Sequence, residues 1–188
     1  VKMKGLILAA GVMLGLVMPA MAENEADYGP DWPVCQNLRG DPSAEIESCT
    51  RLIQSGKLTA QHLSWAYNDR AAALLRLKRP DLAYPDFMQA ESADPTNASP
   101  YYNLGLMLNN ARRFDDALAQ WDKFIALKSN VAIAFCERGE ALDALGRKDE
   151  ALANFQEAVR NALDDACVSA HLARAYREHG RLKDAITV

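Results

Sequence analysis

Residues 98–131 read ASPYYNLGLMLNNARRFDDALAQWDKFIALKSNV, and residues 132–165 repeat their pattern as AIAFCERGEALDALGRKDEALANFQEAVRNALDD. Aligned at a period of 34, the two stretches extend in both directions. A small-residue column runs Ala71, Gly105, Gly139, Ala173, and three residues later a large apolar column runs Leu74, Leu108, Leu142, Tyr176. Ala83, Ala117, Ala151 and Ala185 form a third column, followed by Phe87, Trp121, Phe155 and then by Ala90, Phe124, Ala158. Tyr67, Tyr101 and Phe135 share an upstream column that Ser169 breaks. Spacings of three and four within each unit are helical. A 34-residue unit with small residues where two helices must approach closely predicts stacked helical hairpins.

These residues resemble those of tetratricopeptide repeat proteins. Tyr101, Leu104-Gly105, Leu108, Ala117, Trp121 and Ile125 carry the likeness in one unit, and Gly139, Leu142, Gly146, Ala151, Phe155 and Ala158 carry it in the next. The unit at 64–97 fits more loosely but supplies the family's closing proline, Pro95, where later units have Ser129 and Leu163. The resemblance implies an all-α, right-handed solenoid of about three and a half repeats, at 64–97, 98–131, 132–165 and, in part, 166–188.

Local signals agree with that register. Asp41-Pro42 opens a helix that ends near Ser55-Gly56, with Ile46, Cys49, Leu52 and Ile53 as its apolar stripe; with its link it occupies 41–63. Thr59 can cap a helix running toward Leu77, and Ser99 before Pro100 reads as a cap with a first-turn proline. Gly146 and Gly180 fall at turns between paired helices. Pro85 lies inside the second helix of the first unit, where a proline costs about 3 kcal/mol, so a late start or a kink is expected there. Residues 23–40, with Tyr28-Gly29-Pro30 and Trp32-Pro33, read as an extended lead-in.

Residues 1–22 read as a signal peptide. Lys2 and Lys4 precede an apolar run from Gly5 to Met18, and Ala20-Met21-Ala22 gives the small-x-small pattern before Glu23. The run is short for a bilayer span of roughly 20 residues. The expectation is export to the periplasm or beyond, with cleavage after Ala22 and no stable membrane insertion afterwards. Cleavage removes two lysines and takes the formal charge from −4 to −6. That acidic balance argues against a nucleic-acid partner.

Four cysteines in an exported chain favour disulfides. Cys35 can reach Cys49 on the following helix, and Cys136 and Cys167 hold equivalent places on consecutive first helices. Their spacings of 14, 87 and 31 match no zinc pattern. No phosphate loop, His-Glu-x-x-His or nucleophile elbow is present. His171 and His179, eight apart, could share a face, but the loop-proximal His179 reads as solvated, and Asp115-Asp116 and Asp149-Glu150 read as helix-dipole partners. The sequence therefore predicts a protein that is not an enzyme and needs no metal or cofactor.

What remains is the first-helix face turned away from the hairpin interior. Its stripe is Ser99, Tyr102, Asn103, Leu106, Asn109 and Asn110, continued by Ile133, Cys136, Glu137, Glu140 and Asp143, then by Cys167, His171, Arg174 and Arg177. In the resembled family such stripes line a concave groove that binds peptides. Asn103 matches one position of that family's carboxylate clamp, whereas Asn68, Ala72, Ile133 and Glu137 do not supply the rest. The expected partner site is Tyr102, Asn103, Leu106, Asn109, Asn110, Glu137, Glu140, His171, Arg174 and Arg177. Rival roles are an assembly or chaperone-like factor for an envelope complex and a regulatory fragment of a peptidoglycan-processing system. Val188 follows Ala185 closely with no polar capping helix. The expectation is therefore either that the sequence is a fragment or that its last apolar face is covered by a partner, which leaves room for an oligomer through that end.

Overall fold

The computed structural model describes residues 28–161 together with Ala173, Arg174, Tyr176 and Arg177. Among the described residues there are eight helices and no strand: α1 (Asp31–Cys35), α2 (Pro42–Ser55), α3 (Ala60–Arg76), α4 (Pro80–Ala93), α5 (Ala98–Asn110), α6 (Phe114–Leu127), α7 (Ala132–Ala144) and α8 (Lys148–Asn161). Sequential helices pack in pairs, α3 on α4, α5 on α6 and α7 on α8, and each pair packs on the next.

The 34-residue columns are the packing. A Cβ on Gly105 would lie 2.8 Å from Trp121 Cε2, and one on Gly139 would lie 2.6 Å from Phe155 Cε1. Both aromatic side chains are fully buried, so these two hairpins reach this close approach because the first helix has no side chain at that point. In the first repeat Ala71 and Phe87, also fully buried, occupy the same columns.

Each first helix ends in the same turn. The amides of Arg79, Arg113 and Arg147 donate to the carbonyls of Leu74, Leu108 and Leu142, each at 2.9 Å, and the residue before each arginine is left-handed. This is the Schellman arrangement, whose left-handed position suits glycine. Gly146 fills it at φ 77°, but Lys78 and Arg112 fill it at φ 58° and 59°. The left-handed region costs a side chain about 1–2 kcal/mol, part of which glycine loses to its freer unfolded chain. Lys78→Gly and Arg112→Gly are each expected to stabilise the fold by about 0.5–1 kcal/mol, measured by denaturant unfolding. Gly146→Ala, with open space around its Cβ, should lose about 1 kcal/mol from backbone strain alone.

Caps follow the sequence with one shift. Asp41 accepts from the amides of Ser43 and Ala44, and Thr59 Oγ1 accepts from that of His62. The α5 cap is Asn97 and not Ser99: its Oδ1 accepts from the Ser99 amide at 3.1 Å, which places Pro100 within the first turn. The expected late start of α4 is also corrected. The helix begins at Pro80 and runs through Pro85. Pro85 is exposed, so the Asp81 carbonyl it leaves without an amide partner sits on the solvated side.

The lead-in is the largest correction. Residues 31–35 form α1, and Trp32 is buried among the rings of Tyr28, His62 and Trp65, at centroid distances of 5.2, 5.0 and 6.3 Å. Pro33 is compatible because first-turn amides have no partner within a helix. A disulfide joins Cys35 to Cys49 across a Cα separation of 4.8 Å and fastens α1 to α2. Together α1 and α2 pack against α3 and close the first repeat's end of the stack. No helix among the described residues is long and apolar enough to cross a membrane.

Candidate functional site

The first helices α3, α5 and α7 lie side by side, and α5 touches both neighbours. Polar side chains fix their spacing. Asn103 Nδ2 donates to Asn68 Oδ1 at 2.9 Å, joining α5 to α3. Asn109 Nδ2 donates to the Glu137 carbonyl and to its Oε2, both at 3.0 Å, joining α5 to α7. Arg174 Nη2 reaches Asp143 Oδ2 at 3.5 Å. The sequence suggested asparagine amides and arginines offered to a ligand. In the structure these donors bond within the chain: Asn103 and Asn109 hold neighbouring first helices together, and Arg174 meets Asp143 of α7. Asn109 Oδ1 is buried without a partner.

Three cavities adjoin along this face. One of ≈ 480 Å³ lies by Tyr102, Asn103, Phe124 and Leu38. Another of ≈ 930 Å³ lies between α3, α4 and α5, with Asn103, Leu106 and Asn110 on one wall and Leu75 and Tyr84 on the other. The third, ≈ 430 Å³, holds Leu106, Asn109, Asn110, Glu137, Glu140 and Arg174. Asn103 is common to the first two, and Leu106 and Asn110 to the last two. Eight of the ten sequence-expected residues thus share one surface. Arg177 is exposed and lines none of these three cavities, and His171 lies outside the described residues. Cys136 is buried on α7, and its expected partner Cys167 also lies outside them.

Sequence reasoning missed Leu75, Lys78, Tyr84, Met107 and Arg113 of the ≈ 930 Å³ cavity. Tyr84 carried a signal, because Leu118 and Leu152 hold its column in the later repeats.

Tyr102 stands half-buried over Trp121 and Phe124, with ring centroids 5.6 and 5.4 Å away. Burial, then the Glu137 charge, pushes its hydroxyl pKa upward. Beside this end, burial pushes the Glu45 carboxyl up to about 7 although Arg76 bonds to it, and burial pushes Asp69 up to about 6. A carboxyl with a raised folded pKa holds its proton more tightly in the folded chain. Its contribution is complete below the usual 4.5 of Glu45 and 3.8 of Asp69, and it is lost as pH rises through about 7 and 6. Unfolding free energy is therefore expected to fall between those limits, and Glu45→Gln should flatten the decline in a pH series of urea titrations.

The sequence at 132–165 matches the tetratricopeptide repeat family model. No curated protein matches the sequence significantly. Solved structures do. MamA 41-end from Desulfovibrio magneticus RS-1 is 19% identical and superimposes with a TM-score of 0.73, covering 89% of this chain and 92% of that one. A MamA RS-1 ArsTM double mutant is 18% identical, with a TM-score of 0.76 over 87% and 90%. Another MamA crystal structure is 18% identical, with a TM-score of 0.71 over 80% and 86%. The hairpin columns, the matched repeat and these superpositions agree: this chain has the fold of a tetratricopeptide repeat solenoid.

Proposed function

We propose that this chain is an exported, non-enzymatic interaction module that holds a peptide segment of a partner protein against the α3–α5–α7 face. One observation carries the reading. The three adjoining cavities form a surface whose walls are locked by Asn68–Asn103 and Asn109–Glu137 bonds, which lowers the ordering cost of binding. Tyr102 and Leu106 supply apolar contact, and aromatic anchors are common hot spots. A groove this short suits micromolar affinity, about −8 kcal/mol.

The test is a titration of peptides selected from a displayed random library on the whole chain. Leu106→Arg, on the inner face, should abolish their binding, and Gln89→Arg, exposed on α4, should leave it unchanged. Equal binding to both folded variants would place the working surface elsewhere. Export belongs to the same proposal: mass spectrometry of the envelope form should find Glu23 as the first residue. Non-reducing peptide mapping should find Cys136 bonded to Cys167, and an intact 1–22 segment or alkylatable Cys136 and Cys167 thiols would contradict these points.

A further inference from the structure

We infer that the ≈ 930 Å³ cavity between α3, α4 and α5 takes a large apolar side chain of an acidic peptide, whose flanking carboxylates pair with Lys78 and Arg112. This rests on the peptide-binding reading above and narrows its partner class. Leu75, Tyr84, Leu106 and Met107 give the cavity its apolar wall, and its volume lies within the usual range for small-ligand sites, ample for one aromatic side chain. Its charged lining is Lys78, Arg113 and Asp81. Arg113 is held by Asp116, with its guanidinium 5.2 Å from the centre of the Tyr84 ring. Arg79 and Arg112 adjoin these residues in the chain.

Lys78, Arg79 and Arg112 are exposed, and among the described residues none has a carboxylate partner. In a chain of net charge −4, Lys78 thus lines this cavity with no carboxylate partner among the described residues, and Arg79 and Arg112 stand next to lining residues in the chain. Two of them, Lys78 and Arg112, stand in left-handed backbone where the third repeat has Gly146. Each cation is kept at a position that glycine would fill with less strain, as at many binding sites. The adjoining cavity carries Glu137, Glu140 and Asp143, so opposite charges at its two ends would orient an acidic segment toward the α3–α4 turn.

The test uses three labelled synthetic peptides followed by fluorescence anisotropy on the whole chain: a Glu-rich peptide with a central Phe, the same peptide with Ala for Phe, and the same peptide with Lys for Glu. The first should bind, more weakly as salt rises, and the other two should bind at least about tenfold less tightly. The double variant Lys78→Gly with Arg112→Gly should bind the first peptide about tenfold less tightly and with a shallower salt dependence. It should melt at or above the temperature of the parent, so its loss of binding does not reflect unfolding. Asp81→Asn should tighten the same peptide. Absence of binding by the Glu-Phe peptide, equal binding of the Lys version, or unchanged binding to the double glycine variant would overturn the inference. If library-selected peptides still lose binding to Leu106→Arg in that case, the peptide-binding reading stands. If they do not, that reading fails as well.

Discussion

Arg70→Ala should lower the unfolding free energy by about 3–5 kcal/mol, the largest loss expected from any single polar side chain here. Arg70 Nε and Nη2 donate to the two carboxylate oxygens of Asp86 at 2.7 Å each, and Nη1 donates to Thr50 Oγ1 at 3.0 Å. The side chains are 19% and 10% exposed, so truncation leaves a carboxylate in a nearly dry site with no cation. One residue joins α2, α3 and α4. The pair Arg70→Met with Asp86→Leu should cost far less than Arg70→Ala, because no charge is stranded. Equilibrium unfolding of the single and double variants checks both statements, and equal losses would show that the ion pair's removal, rather than the stranded carboxylate, sets the cost.

The same column shows how repeats diverge. Arg138 Nε donates to Asn154 Oδ1 at 2.8 Å in the third repeat, at the positions of Arg70 and Asp86. The middle repeat has Leu104 where the others have arginine, and Gln120 Oε1 is buried there without a partner.

Trp121→Ala should cost about 3–5 kcal/mol, because the fully buried indole fills the space beside Gly105 and supports Tyr102 and Phe124. Trp121→Phe should cost much less. Phe87 and Phe155 hold this column in the flanking repeats, and the indole Nε1 that would be lost is buried with no acceptor. Gly105→Ala alone should destabilise by about 1–3 kcal/mol through overlap with the ring, and on the Trp121→Ala background it should become neutral or favourable. A double-mutant cycle in urea measures that coupling, and additive losses would contradict the close approach of α5 and α6.

Much of this architecture was legible because it is periodic. The glycine and aromatic columns fixed the hairpins, Asp41 and Thr59 fixed two helix starts, and Cys35 with Cys49 fixed one cross-link. What was missed is not periodic. α1 is a helix of 5 residues that includes a proline, and its burial depends on His62 and Trp65 from another helix. Lys78 and Arg112 adopt a glycine conformation that their identities conceal. The inner-face stripe includes Asn103 and Asn109, but periodicity could not show that their amides bridge neighbouring helices. Likewise the ≈ 930 Å³ cavity draws Leu75 and Tyr84 from two different helices, which no single-helix stripe contains.

The central claim is that the α3–α5–α7 face is the working surface. It is tested most directly by the amide spectrum of the isotope-labelled chain, recorded with and without a library-selected peptide. Shifts should concentrate at Asn103, Leu106, Asn110 and Glu140, with Gln89, Ala119 and Gln156 on the second helices unmoved. Shifts concentrated on those second helices, with the inner face silent, would contradict it.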